Sequence, residues 1–259
     1  MKTQELFSLK GRVAIITGGG RGIGKFIATG MAEAGSDVVI ASRKIDNCVE
    51  AAREIEVLGV KAMPVQCDLA DVEDIENLVK KTMESFGRID ILVNNAGLTW
   101  GAPTLEYPLD KWEKVINVNL RGVFFLSRDV ARIMVKQNRG KIVNITSILS
   151  FRGATEEMNA AVAYNASKGG VNALTLDLAV KLARYNINVN GIAPGYFDTD
   201  LLGFAKQDKT LLEKLIAKIP AGRLGLEDDI KGAAVFLASD ASNYLNGHIL
   251  SVDGGYMSW

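Results

Sequence analysis

The chain has 259 residues, 48% of them hydrophobic, and its 30 basic side chains balance 30 acidic ones. A chain of this length buries one large core, so a single domain over residues 1–259 is expected, and zero net charge argues against a nucleic-acid partner. His248 is the only histidine, and Cys48 and Cys67 stand outside any C-x-x-C spacing, so a zinc site, a disulfide framework and a Ser-His-Asp hydrolase all lack support, and no metal is assigned.

The N-terminal stretch "MKTQELFSLKGR" is polar and has no signal-peptide core. No apolar run approaches the ~20 residues that cross a bilayer, so a cytoplasmic location and no membrane partner are expected. "RVAIIT" (12–17) reads as a buried strand, followed by a helix over 22–35 that ends at Gly35. A strand at 37–42 and a charged amphipathic helix at 44–58 come next, the latter closed by Gly59. Strands are predicted at 61–68 and 89–95, with a helix at 71–86 between them. A long helix over 110–136 precedes a strand at 140–147, and a second long helix over 160–184 precedes a strand at 187–194. Residues 198–219 read as a lid of one or two helices, and a helix at 227–238 and a strand at 248–254 end the pattern.

Continuous apolar strands alternating with helices imply right-handed crossovers and an α/β fold, a doubly wound parallel sheet with helices on both faces. Such a sheet binds ligand at the carboxyl ends of its strands, where the strand order reverses.

Strand one runs into "TGGGRGIG" (17–24) and a helix. Gly18, Gly22 and Gly24 permit a tight turn and close approach to a pyrophosphate, and the helix N-terminus offers free N–H groups. A glycine triplet alone fits any strand–helix turn; its place after the first strand favours dinucleotide binding. Strand two ends in Ser42, Arg43 and Lys44, where an acidic residue would hold the ribose of NAD(H). A hydroxyl and an arginine fork suit a 2′-phosphate, so NADP(H) is favoured and NAD(H) is the alternative. Asp68, ending strand three, either accepts from the adenine amine or caps the next helix. "NNAG" (94–97) puts an amide and small residues at the end of strand four.

With "Ser147…Tyr164-x-x-x-Lys168" and "PGYFDT" (194–199) added, the chain resembles the short-chain dehydrogenase/reductase family over its whole length, with four separated motifs in order. The gluconate 5-dehydrogenase-like and NADPH-dependent β-ketoacyl reductase-like branches are the nearest in flavour. The resemblance implies a Rossmann-like sheet of about seven strands and a nicotinamide cofactor. It also implies a homotetramer, or a homodimer, built on the two long helices. It places the cofactor against Gly18, Arg21, Gly22, Ile23, Gly24, Ser42, Arg43, Asp68, Leu69, Asn95, Ala96, Gly97, Tyr164, Lys168, Pro194, Gly195, Phe197 and Thr199. The catalytic set falls on Asn119, Ser147, Tyr164 and Lys168, with Asn117 as the competitor of Asn119 and Ser150 as that of Ser147.

The residues agree with that assignment. Tyr164 and Lys168 share one helix face, and an ammonium there lowers the phenol pKa toward working range. The resemblance further implies that Ser147 hydrogen-bonds the substrate oxygen and that Asn119 holds a helix kink and a water that relays protons to Lys168. The 17-residue step from Ser147 to Tyr164 is longer than the family usually shows, implying an insertion around "GATEEMNA" whose Glu156 and Glu157 are read as solvated loop charges rather than substrate contacts. Trp100, Tyr107, Phe151, Met158, Tyr196 and Phe197 are candidates for the substrate side. The expected activity is NADP(H)-dependent interconversion of a ketone and a secondary alcohol on a keto-sugar acid or polyol. A 3-oxoacyl thioester is the alternative substrate, and a non-catalytic dinucleotide-binding scaffold the alternative of another class. Intact Tyr164 and Lys168 speak against the scaffold.

Overall fold

The computed structural model describes residues 1–157, 159–203 and 208–259. Met158 and residues 204–207 of the expected lid lie outside them. Among the described residues, seven parallel strands form one sheet: β1 (Val13–Thr17), β2 (Asp37–Ser42), β3 (Ala62–Gln66), β4 (Ile91–Asn94), β5 (Gly140–Ile145), β6 (Ile187–Pro194) and β7 (Ile249–Val252). Their order is β3-β2-β1-β4-β5-β6-β7. It reverses between β1 and β4, whose diverging C-terminal ends open the crevice that a doubly wound sheet offers to a ligand.

The helices are α1 (Thr3–Leu6), α2 (Gly22–Glu33), α3 (Ile45–Glu56), α4 (Val72–Phe86), α5 (Leu109–Ile116), α6 (Val123–Gln137), α7 (Val162–Leu182), α8 (Lys209–Ile216) and α9 (Glu227–Ala238). Alternate strand residues divide between two cores, as a period of two requires. Ala14, Ile16, Val38, Ile40, Ile91 and Val93 pack with Ile27, Met31 and Ile55 of α2 and α3 and with Ile230 and Leu237 of α9. Val13, Ile15, Val39, Ala41 and Leu92 pack on the other face with Ile75 and Leu78 of α4 and Leu126, Val130 and Met134 of α6. Full burial of each large aliphatic side chain contributes about 1.5–3 kcal/mol.

The observed elements are mostly a residue or two shorter than their sequence patterns, because apolar periodicity runs on past the last ladder hydrogen bond. The long helix expected at 110–136 carries an internal change. Between α5 and α6, Asn117–Gly122 forms a π-helical segment. Such bulges are frequent at functional sites, and this one carries the buried Asn119. The cap of α4 is Asp71, which accepts from the Glu73 N–H at 2.9 Å. Asp68 accepts from the Ala70 N–H at 3.0 Å and so stabilises the preceding turn instead. In the lid region, Asp200–Leu202 forms a 3-10 turn and Asp208 caps α8. No helix among the described residues is long and apolar enough to cross a membrane.

The opposite edge of the sheet is tied by charge. Arg12, 8% exposed, donates to the Ala238 carbonyl at 2.9 Å and to Asp240 at 2.6 Å, locking β1 to the end of α9. Arg12→Ala is expected to cost about 2 kcal/mol, since it orphans a buried carbonyl and weakens an ion pair. The midpoint of urea unfolding measures this, and an unchanged midpoint would refute the tie.

Candidate active site

The glycine loop and the loop after β4 are laced together. Thr17, the last residue of β1, accepts at its Oγ1 from the N–H groups of Asn95 and Ala96, each at 3.1 Å. Asn95 Nδ2 donates back to the carbonyls of Thr17 at 2.9 Å and Gly18 at 3.2 Å. This closeness explains two glycines. A Cβ on Gly18 would come 2.9 Å from the Ala96 Cα, and one on Gly24 would come 2.2 Å from the Gly18 carbonyl oxygen. Arg21 caps α2 in extended conformation with no side-chain hydrogen bond to the first turn, so the helix N-terminus faces outward with its N–H groups available to an anion. Thr199 stands against the same loop, its Cβ 3.5 Å from where a Gly22 Cβ would lie.

An open groove of about 460 Å³ runs along this loop, lined by Gly20, Arg21, Gly22, Lys25, Lys44, Asn47, Glu50 and Asp200. Backbone that a Cβ would fill, a free helix N-terminus and cations at the rim together fit a pyrophosphate-bearing dinucleotide. Arg43 and Lys44 are exposed at this edge. The Ser42 hydroxyl turns inward, donating to the Lys44 carbonyl at 2.9 Å and lying 3.1 Å from Cys48 Sγ. Its proton is therefore engaged in shaping the entry to α3, and the cations rather than the hydroxyl face a 2′-phosphate. Ile23 and Leu69 pack their side chains into the cores, and Pro194 ends β6 with Gly195 directly after it. The Phe197 ring is likewise largely core, 4% exposed and pressed against Gly225, and lines a small cavity together with Tyr196 and Arg223.

The serine, tyrosine, lysine and asparagine come together beside this groove. Ser147 follows β5 in extended conformation and accepts from the Leu149 N–H at 3.1 Å as it caps a 3-10 turn, Ile148–Ser150. Its hydroxyl lies close enough to that of Tyr164 to oppose the rise that burial imposes on the phenol. Lys168, one turn further along α7, donates to the Ile145 carbonyl at 2.7 Å and lies 5.7 Å from the centre of the Tyr164 ring. Asn119 is fully buried: its Oδ1 accepts from the Leu98 N–H at 2.9 Å, and its Nδ2 donates to the Leu98 carbonyl at 2.8 Å and to Ser167 Oγ at 3.0 Å. A Cβ on Gly97 would come 3.4 Å from Asn119 Oδ1 and 3.6 Å from Lys168 Nζ, so the two groups share one small space. Asn117 makes no such contacts. Ser150 is occupied elsewhere, donating to the Ser147 carbonyl and accepting from Asn172 Nδ2.

Burial dominates the electrostatics of this cluster. It pushes the Tyr164 phenol up, opposed by the Ser147 hydroxyl, and pulls the Lys168 ammonium down to about 8. The expectation that Lys168 lowers the Tyr164 pKa is not met in this state. The ammonium is spent on the Ile145 carbonyl and lies over the ring rather than at the hydroxyl.

On the substrate side, Trp100 and Phe151 are 45% and 47% exposed, and Tyr107 donates to the Trp100 carbonyl at 2.9 Å. Tyr196 packs edge-on against Tyr256 at 5.3 Å. The insertion is tied down: Glu156 accepts from the Thr104 N–H at 2.8 Å, and the Ala102 N–H donates to the Ala160 carbonyl at 3.0 Å. Glu156 is thus tied to Thr104 rather than a loose loop charge, and its pKa is lowered first by the Thr104 side chain and then by that backbone N–H. Sequence reasoning passed over Lys25, Asn47 and Asp200 in the groove wall. Lys25 directly follows the last glycine and was legible; Asp200 reaches the groove only through the fold.

A family profile described as enoyl-(acyl carrier protein) reductase matches residues 18–257. The chain is 45% identical to a 2-dehydro-3-deoxy-D-gluconate 5-dehydrogenase from Pseudoalteromonas atlantica, over 98% of both chains. It is 39% identical to a 5-keto-D-gluconate 5-reductase from Escherichia coli, again over 98% of both. A gluconate 5-dehydrogenase from Burkholderia cenocepacia, solved in complex with NADP and tartrate, superposes with a TM-score of 0.93 at 40% identity over 100% of both chains.

Gly24→Ala places a methyl against the Gly18 carbonyl. It is expected to lower Tm and to abolish the further rise in Tm that NADPH brings to the native protein. Thermal melts with and without NADPH measure both, and an undiminished rise would show that the glycine loop does not hold the dinucleotide.

Proposed function

The chain belongs to the short-chain dehydrogenase/reductase family, and we propose that it interconverts the ketone and secondary alcohol of a keto-sugar acid with NADP(H). The observation that carries this is the convergence of Ser147, Tyr164, Lys168 and Asn119 at the strand edge that also holds the glycine groove, with Lys168 Nζ 5.7 Å from the Tyr164 ring centre and held by the Ile145 carbonyl. Two curated relatives named for the C5 chemistry of gluconate derivatives support the substrate class. The exposed Arg43 and Lys44, and neighbours solved with NADP, support the phosphorylated cofactor.

Bound NADPH supplies the hydride. Ser147 holds the substrate oxygen, and Tyr164, a neutral phenol whose pKa burial pushes further up, donates the proton to it. Lys168 stabilises the phenolate that results and orients the ribose. Asn119, fixed by the Leu98 peptide, keeps the π segment in place beside Lys168. Residues 198–203 and 208–219 flank the substrate side and act as a lid over the substrate. The protein works as a single domain in the cytoplasm, where the buried thiols Cys48 and Cys67 stay reduced. It assembles as a homotetramer, or a homodimer, through the outer faces of α5, α6 and α7, which expose Trp112, Phe124, Leu176 and Val180.

Purified protein is expected to reduce 5-keto-D-gluconate faster with NADPH than with NADH; turnover of acetoacetyl thioesters alone would move it to the acyl branch. Tyr164→Phe is expected to lower kcat by about 10²–10⁴-fold, the range of a lost general acid, and unchanged turnover would overturn the assignment.

The folded pKa of Lys168 lies below its ordinary 10.5, so its ammonium is intact below about 8 and is lost as pH rises through it. The kcat/KM for ketone reduction is therefore expected to be level near neutrality and to fall above about pH 8. A profile that stays flat to pH 10 would remove the charged lysine from the mechanism.

A further inference from the structure

Arg152 follows Ser147 by a single 3-10 turn. Its guanidinium lies over the ring of Tyr256, 5.1 Å from the centroid. Tyr256 is 4% exposed and packs edge-on against Tyr196, two residues past the end of β6. Arg152 therefore stands at the same C-terminal edge of β5 and β6 that presents Ser147. It is close enough to Tyr196 that its charge opposes the rise which burial and Tyr256 impose on that phenol.

Other cations near this edge are committed. Arg223 is forked onto Asp229 at 2.5 and 2.8 Å, Lys111 is paired with Asp110 at 2.7 Å, and Lys168 is held by the Ile145 carbonyl. The nearby acids are turned to backbone: Asp253 accepts from the N–H groups of Gly255 and Met257, and Glu156 from that of Thr104. Among the described residues, Arg152 has no carboxylate within ion-pair distance, and its exposed N–H groups have no hydrogen-bond partner.

We propose that Arg152 is the carboxylate anchor of the substrate cleft, a specificity-determining residue that holds the acid end of the sugar while the ketone sits at Ser147 and Tyr164. The proposal rests on the keto-sugar-acid reading above and names the group that selects that class. A guanidinium on an aromatic face keeps its edge N–H groups free, and those match a carboxylate in a bidentate pair. The buried Tyr256 ring limits the rotamers that Arg152 loses on binding. A ketone of a neutral sugar meets the same serine and tyrosine but leaves the arginine unpaired.

The test compares wild type, Arg152→Gln and Arg152→Lys on 5-keto-D-gluconate and on the neutral 5-keto-D-fructose, with saturating NADPH. Arg152→Gln is expected to raise KM for the acid about 10- to 100-fold more than for the neutral ketose, the worth of a charged hydrogen-bonded pair. Arg152→Lys, which keeps the charge and loses the fork, is expected to recover part of the difference. Equal effects of Arg152→Gln on both substrates, or none on the acid, overturn the anchor and leave the keto-sugar-acid reading standing. A wild type that reduces other ketones but no carboxylated keto-sugar overturns that reading and the anchor with it.

Discussion

A charged amine withdrawn from water organises this site. Lys168 is 3% exposed, its ammonium donates to the carbonyl of Ile145 at 2.7 Å, and its pKa falls to about 8 as the cost of that position. The bond fixes the register of α7 against the end of β5. Because Tyr164 stands one turn earlier on the same helix, and Ser147 two residues beyond Ile145 where β5 ends, one contact sets both ends of the hydroxyl pair. A shift of α7 would break the hydrogen bond of the ammonium before it moved the phenol, and an ammonium left unpaired in the interior is the more costly of the two.

Behind that contact lies a polar thread through an otherwise apolar core. Asn94 Nδ2 donates to Ser127 Oγ and to Asn144 Oδ1, and Asn144 Nδ2 donates to Thr175 Oγ1. These bonds join β4, β5, α6 and α7, which between them carry the loop after β4, Ser147, Tyr164 and Lys168. Hydrophobic packing alone tolerates small sliding; a buried amide that loses its partner does not. The thread makes the relative positions of the elements specific where the chemistry needs tolerances well below an ångström.

Much of this was legible in the residue order. The strand and helix pattern, the sheet type and the glycine loop follow from periodicity and from where glycine stands. Tyr164 and Lys168 follow from helical spacing, and the choice of Asn119 over Asn117 is supported by its burial against Leu98. What was not legible depends on distance through space. The inward turn of the Ser42 hydroxyl depends on where α3 starts, the core placement of Phe197 on Gly225, and the tie of Glu156 on a loop some fifty positions earlier. The balance of pKa effects at Tyr164 was misjudged for the same reason: sequence spacing reveals a neighbouring charge but not how deeply both groups are buried.

The strap formed by Glu156 and Thr104, with Ala102 and Ala160 beside it, makes one wall out of two distant stretches of chain. Only the Glu156 bond depends on a side chain, since the Ala102–Ala160 bond runs from backbone to backbone. The insertion is thus joined to the stretch after β4 by one bond that sequence change can remove and one that it leaves in place, so the two loops can vary in sequence while staying coupled in position.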